Sequence, residues 1–153
     1  MMTEKELKAL TSTIYVAKLM ANNGQLDDDD KKIRASGLYS DWQAGDHKKG
    51  EIYNTHRDDS LGDEWEQTWE CYQAYNNDTY PDLKPGDSSW YTFNRPLHGK
   101  TKETARPFVP VQGSHDMYRA GEYMIYTDNK IYLCVSETNF SPTDYGAAWK
   151  VQE

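Results

Sequence analysis

The sequence predicts a mainly β fold in which two small three-stranded antiparallel β modules follow one another, preceded by an N-terminal α-helical segment. Three observations support this prediction. An ordered set of residues occurs twice along the chain, which indicates two homologous modules rather than one larger domain. Aliphatic residues are scarce beyond the first twenty positions, whereas the chain contains five Trp, twelve Tyr and three Phe. Helical spacing of apolar residues is confined to the beginning of the chain.

The two copies share a Gly-Glu pair, an aromatic residue two positions before a Cys, an Asn, a Pro and a Trp, always in this order. The first copy contains Gly50, Glu51, Trp69, Cys71, Asn76, Pro81 and Trp90, and the second contains Gly121, Glu122, Tyr132, Cys134, Asn139, Pro142 and Trp149. Modules of about 50 residues are close to the size below which a core is hard to stabilise. We therefore expect large rings, each burying roughly 150–250 Å², to replace aliphatic bulk.

The domain organisation follows from the repeat and from the segments around it. We expect a helical segment at 1–36, a first β module at 37–94, a linker at 95–107 and a second β module at 108–153. The predicted linker is rich in Lys, Thr and Pro, a composition typical of connecting segments.

The N-terminal segment predicts an amphipathic helix over residues 3 to 22. Thr3 and Glu6 form a capping box, and apolar residues recur at helical spacing from Leu7 to Ala21. The sequence Asn22-Asn23-Gly24 is a helix stop signal. The pattern is too short for a firm coiled-coil prediction, so we expect packing within the chain and leave oligomerisation open. Acids followed by bases between Asp27 and Arg34 indicate a second short helix.

Alternation of large and polar residues predicts the strands of both modules. We expect strands at 51–54, 65–75 and 89–93 in the first module, and at 123–126 and 131–135 in the second, with a turn at Asp128-Asn129. In the second predicted strand Trp65, Trp69, Cys71 and Tyr75 share one face. We expect Trp69, Trp90, Tyr132 and Trp149 to be core residues.

The charge pattern and the cysteines limit which partners and cross-links the chain is expected to have. The formal charge is −8 and the basic residues are scattered, which argues against nucleic acid as a partner. No long apolar run predicts a membrane span, and Glu4 and Glu6 near the start argue against a signal peptide. Cys71 and Cys134 occupy matching positions in separate modules, so we expect two buried thiols rather than a disulfide.

The repeated residues resemble a known family. Gly-Glu, a strand, Tyr-x-Cys, an Asn-containing loop, an aromatic residue near a Pro and a closing Trp are similar to the small chitin-binding-type carbohydrate-binding modules of bacterial chitinases. The run from Asp27 to Trp42 followed by Gly50-Glu51, and the run from His115 through Thr143, resemble phage and prophage tail-associated proteins that carry such modules. The chain departs from the chitinase modules at Tyr80 and Phe140, where Trp is common.

The resemblance implies a non-catalytic carbohydrate-binding protein of a phage or prophage tail that aids adsorption to host glycans. Its location would be the virion, after synthesis in the bacterial cytoplasm, and its partners would be a cell-surface polysaccharide and other tail proteins, with a homo-oligomer possible. Exposed loop aromatics would carry the binding, and the resemblance points to Tyr80 and Phe140, with Trp42 and Tyr118 beside them. One alternative is a purely structural tail or baseplate protein, and another is an accessory module of a carbohydrate-active enzyme.

No enzyme activity, cofactor or metal site is predicted. A glycosidase needs two carboxylates held about 5 to 10 Å apart across a cleft, which chains this short rarely enclose. The four His are scattered. His56, Asp58 and Asp59, in a polar insertion of the first module, are the one group for which ion binding stays open.

Overall fold

The computed structural model describes residues 1–22, 26–58, 61–62 and 65–153. Helices and strands each take about 24% of the chain, so the fold is mixed α and β rather than mainly β. The difference arises because the N-terminal helix alone has 19 residues, whereas no strand has more than five among the described residues. The short strands form three small sheets.

Two helices precede the sheets, as the capping signals predict. Helix α1 spans Glu4–Asn22 and begins with a hydrogen bond from the Glu6 N–H to Thr3 Oγ1 at 3.1 Å. Helix α2 spans Asp29–Arg34, and the Asp28 carboxylate accepts the Lys31 N–H at 2.8 Å. The predicted stop signal at Asn23-Gly24 lies outside the described residues. Packing of α1 within the chain is limited to its last turns, where Ala21 is buried.

The first repeat contains two small antiparallel sheets and one helical turn. Its elements are β1 (Asp46–His47), β2 (Ile52–Thr55), β3 (Gln67–Cys71), β4 (Tyr75–Asn76), α3 (Trp90–Phe93) and β5 (Asn94–Pro96). Strands β2, β3 and β5 form a three-stranded sheet in that order, and β1 pairs with β4. The predicted strand at 89–93 is wrong: Trp90–Phe93 is helical, and the third strand follows directly after it.

The second repeat contains the predicted antiparallel hairpin and third strand, with one additional strand. Its elements are β6 (Arg106–Pro107), β7 (Tyr123–Ile125), β8 (Ile131–Cys134) and β9 (Trp149–Gln152). The sheet order is β6-β7-β8-β9, and β6 runs parallel to β7. Asn129 in the hairpin turn has a φ of 64°, the left-handed region that Asn tolerates.

The two repeats share several hydrogen bonds at equivalent positions. The Gly50 N–H donates to the Cys71 carbonyl at 2.8 Å, and the Gly121 N–H donates to the Cys134 carbonyl at 2.9 Å. Both glycines have a φ of 95°, which explains why glycine stands at both positions. The two cysteine thiols donate at 3.2 Å to the carbonyl two residues further along the chain.

The pairing register shows that Trp90 and Trp149, which the sequence repeat treats as equivalent, occupy different positions. Cys134 is paired with Trp149, but Cys71 is paired with Asn94. Trp90 lies four residues before Asn94 on the helical turn α3, so it is not the structural counterpart of Trp149. The first repeat thus uses a helical insertion to place its tryptophan in the core.

Each repeat has its own cluster of buried side chains. The first cluster contains Tyr53, Trp65, Trp69, Cys71, Tyr75, Leu83, Trp90 and Val109, and the second contains Tyr118, Met124, Cys134, Ala148 and Trp149. Aromatic rings fill most of the first cluster, with the Trp69 and Trp90 centroids 4.8 Å apart. The predicted face of Trp65, Trp69, Cys71 and Tyr75 is buried as expected. Tyr132 is only half-buried, unlike Trp69, Trp90 and Trp149.

The segment predicted as a linker is held in place by helix α2. Asp29 accepts two hydrogen bonds from the Arg95 guanidinium, at 2.7 and 2.9 Å, and one from the His98 backbone N–H. Asp30 accepts hydrogen bonds from the Lys100 backbone N–H and the Thr104 hydroxyl. The segment also contributes β5 to one sheet and β6 to the other, so it is an ordered part of the fold.

Cys71 and Cys134 are free and buried, which confirms the prediction of two separate thiols. Burial raises the pKa of each thiol to about 11. This high pKa keeps both sulfur atoms protonated at neutral pH, where the thiol rather than the reactive thiolate is present.

Candidate functional site

Tyr80 lies on a loop of the first repeat and is 64% exposed. Asn76 at the end of β4 organises this loop, because its side-chain oxygen accepts the N–H groups of Asp78 and Thr79 at 2.8 and 3.0 Å. The Tyr80 N–H donates to the Asn76 carbonyl, and the Leu83 N–H donates to the Tyr80 carbonyl. The tyrosine ring is therefore presented to solvent by a loop whose backbone is fixed by local hydrogen bonds.

The Tyr80 ring borders a mostly apolar depression of about 510 Å³. Pro81, Leu83 and Phe93 line it, together with the shorter side chains of Thr79 and Ser89. A flat exposed ring beside apolar walls and two hydroxyl groups can pack against the C–H face of a sugar and contact its hydroxyls.

Phe140 occupies the corresponding loop of the second repeat and is 57% exposed. Its N–H donates to Thr138 Oγ1 at 3.0 Å, and its carbonyl accepts the indole N–H of Trp149 at 3.0 Å. The backbone of Phe140 is thus tied to the core tryptophan while its ring faces solvent. Tyr145, which is half exposed, lies close by, with a centroid distance of 6.5 Å.

A larger depression of about 640 Å³ adjoins Phe140. Its walls include Phe108, Val111 and Tyr126, and Ser141 and Asp144 supply polar atoms. The hydroxyl groups of Tyr126 and Thr143 lie 2.8 Å apart, which fixes the tyrosine ring at the rim. Hydrogen bonds with the Ser141 and Thr143 hydroxyls lower the pKa of Tyr126.

Trp42, the third candidate, is half-buried against the first core. Its indole N–H donates to the Tyr75 hydroxyl at 2.9 Å. The ring stacks on His47 at a centroid distance of 5.7 Å and meets the edge of Trp90 at 6.5 Å. Because one face of the indole is covered by His47, Trp42 has less free ring surface than Tyr80 or Phe140.

Tyr118, the fourth candidate, is wrong as a sugar-contacting residue because only 1% of it is exposed. Its ring stacks on His98 at 3.9 Å and on Phe108 at 5.4 Å, and its hydroxyl accepts the Val109 N–H. Burial raises the pKa of this hydroxyl. The first repeat has a buried ring at the equivalent position, because Tyr118 lies three residues before Gly121 and the buried His47 lies three residues before Gly50.

The sequence prediction did not name Tyr145 and Tyr126, two further rings that lie close to Phe140 or line the depression beside it. Tyr145 follows Pro142 on the same loop as Phe140, and its N–H donates to the Ser141 carbonyl at 2.8 Å. The sequence could have indicated Tyr145, because it is an aromatic residue three positions after Pro142 and therefore belongs to the same loop as Phe140. Tyr126 ends the hairpin strand, and only the three-dimensional fold brings it to the rim of the depression.

The structure describes two of the three residues of the polar insertion for which ion binding stayed open, His56 and Asp58. His56 Nε2 lies 2.8 Å from Asp41 Oδ1, and Asp59 lies outside the described residues. Within 1–22, 26–58, 61–62 and 65–153, no group of three or more His, Cys, Asp or Glu side chains is arranged to hold a metal ion.

No family model and no curated protein matches the chain. None of the helices in the described part of the chain combines the length and apolar character needed to cross a bilayer.

Proposed function

We propose that the protein is a non-catalytic carbohydrate-binding protein of a phage or prophage tail, which aids adsorption to host surface glycans. One observation carries the glycan-binding part: Tyr80 and Phe140, at 64% and 57%, are the most exposed rings among the described residues of the two repeats, and they lie on corresponding loops. The tail location rests on the resemblance of the repeated motifs to tail-associated proteins.

The physical argument starts from the cost of exposing rings. A small domain gains stability by burying aromatic side chains, and this chain buries Trp69 and Trp90 completely. Two rings on hydrogen-bonded loops forgo that gain, which is expected where they contact a ligand. Sugar C–H faces are apolar and slightly positive, so they pack on the negative faces of aromatic rings, and neighbouring polar groups select the hydroxyls.

A glycan array probed with the wild-type chain and with Tyr80→Ala and Phe140→Ala tests this proposal. We expect the wild type to bind a defined set of glycans and each variant to lose signal. Tyr15→Ala is a matched control, because Tyr15 on helix α1 is also 64% exposed but lies on neither loop. Equal loss with the control, or no bound glycan at all, would contradict glycan binding by these rings.

Protein assembly is the second candidate function, and helix α1 favours it. Leu7, Leu10 and Ile14 repeat at alternating spacings of three and four residues and are 55%, 43% and 40% exposed. An apolar helix face left open to water is typical of an interaction surface. Light scattering over a range of concentrations would test it: assembly through this face predicts a mass above that of one chain, which falls in a Leu10→Ser, Ile14→Ser variant.

A further inference from the structure

Three depressions share lining residues, and we call the row that they form the groove. The first, of about 230 Å³, lies on the first repeat and includes Gln67 and Arg106. The second, of about 390 Å³, shares Glu66 with the first. The third is the 640 Å³ depression beside Phe140, and it shares Phe108 and Tyr126 with the second. The groove therefore passes from the first repeat to the exposed ring of the second.

The segment from residue 106 to residue 111 runs along this groove. Arg106 lines the first depression, Pro107 and Phe108 line the second, and Phe108 and Val111 line the third. Five residues of extended chain span up to roughly 17 Å. Strand β6 holds the beginning of this segment against β7, and the Phe108 N–H donates to the Ile125 carbonyl at 2.8 Å. The groove therefore follows this segment past more than one depression.

The described residues that line the groove carry as many positive as negative side chains. The arginines are Arg57 and Arg106 and the carboxylates are Glu66 and Asp144, although the whole chain carries a formal charge of −8. Among the described residues no carboxylate hydrogen-bonds with Arg106. The Glu66 carboxylate attracts this guanidinium without a hydrogen bond between them, and a polyanion would meet the Glu66 and Asp144 carboxylates. Balanced charge and many donors and acceptors suit the hydroxyl groups of a neutral chain.

We propose that the groove binds one neutral oligosaccharide of several units, which packs on Phe140 at one end and donates and accepts hydrogen bonds at Arg106 and Glu66 at the other. This inference rests on the proposed glycan binding and adds the form of the ligand: an extended chain that crosses both repeats. Phe140 supplies the ring contact, and the Arg106 end supplies affinity only to chains long enough to reach it.

Titration calorimetry with neutral disaccharides and hexasaccharides derived from chitin, cellulose and α-glucan tests the proposal. For a bound series, we expect the wild type to bind the hexasaccharide about tenfold or more tightly than the disaccharide, the scale of one added hydrogen bond to a charged group. Arg106→Gln and Glu66→Gln should remove most of this gain, so that each variant binds the hexasaccharide little more tightly than the disaccharide. Phe140→Ala should weaken both lengths, and raised salt should have little effect because the ligand is uncharged.

Lys150→Gln is the matched control, because Lys150 is exposed and does not line the groove. Equal affinity for both lengths, or an unchanged length dependence in Arg106→Gln, would overturn the groove while Phe140-dependent binding still supported the proposed function. Preference for acidic chains on a glycan array would also overturn it. If the array and all six oligosaccharides show no binding, the proposed function itself fails, and the groove proposal with it.

Discussion

Replacing Asp29 by alanine should strongly destabilise the fold, because this carboxylate holds the segment between the repeats. It accepts two hydrogen bonds from Arg95 and one from the His98 backbone. The side chains of Asp29 and Arg95 are only 14% and 20% exposed. The Asp29→Ala variant would leave the Arg95 guanidinium largely desolvated with Glu70 as its remaining carboxylate partner, at 2.9 Å.

The expected size of the effect follows from this geometry. Breaking a buried ion pair by removing one partner costs about 3–5 kcal/mol, and we take the lower end, about 3 kcal/mol, because Glu70 remains. Domains are stable by only about 5–15 kcal/mol, so the loss is a large share of the total. With a urea m value of roughly 1.5–3 kcal/mol/M, the unfolding midpoint should fall by about 1–2 M.

Urea unfolding followed by tryptophan fluorescence measures this change. Asp27→Ala is the matched control, because Asp27 is an exposed carboxylate two residues away that pairs with Lys31 at the surface. We expect its midpoint to equal that of the wild type. A fall of less than about 1 kcal/mol for Asp29→Ala, or equal falls for the two variants, would refute the role assigned to Asp29.

Three further outcomes are expected. Burial alone would raise the pKa of Asp29, but the hydrogen bonds from Arg95 outweigh it and hold the pKa below the ordinary value of 3.8. The carboxylate therefore stabilises the fold fully above pH 3.8, and this stabilisation is lost as the pH falls through the lower pKa of the folded state. Between pH 7 and pH 2, the free energy of unfolding should fall more in the wild type than in Asp29→Asn. Gly99→Ala should lower the free energy of unfolding, measured in urea, by about 1–3 kcal/mol, because the added methyl group would overlap the Thr104 carbonyl. Gly37→Ala is the control and should lower it less, because a methyl group there meets open space. A thiol reagent should modify neither Cys71 nor Cys134 in the folded protein at pH 7 and both after unfolding; fast modification of either would show that it is not buried.

Local signals predicted the elements that depend on neighbouring residues. The capping box at Thr3 and Glu6 gave the beginning of α1, and the alternation around Cys71 and Cys134 gave strands β3 and β8. The repeated order of residues predicted two homologous modules, and the equivalent hydrogen bonds of Gly50 with Cys71 and of Gly121 with Cys134 agree with this prediction.

Long-range contacts decided the features that the sequence prediction missed. The Lys- and Thr-rich segment at 95–107 is typical of a linker in composition, but Asp29 and Asp30, about 70 residues earlier, fix it in place. Trp90 follows a Pro and Gly-containing loop that turns into helix α3 rather than a strand. Tyr118 is in a position whose burial depends on His98 and Phe108, which only the folded chain brings against it.

Amide chemical shifts during titration with a neutral hexasaccharide test the central claim most directly. We predict shifts that saturate and concentrate at the loops of Tyr80 and Phe140 and along residues 106–111, with helix α1 unchanged. Shifts confined to α1, or spectra that stay unchanged for every hexasaccharide tested, would contradict glycan binding through these rings.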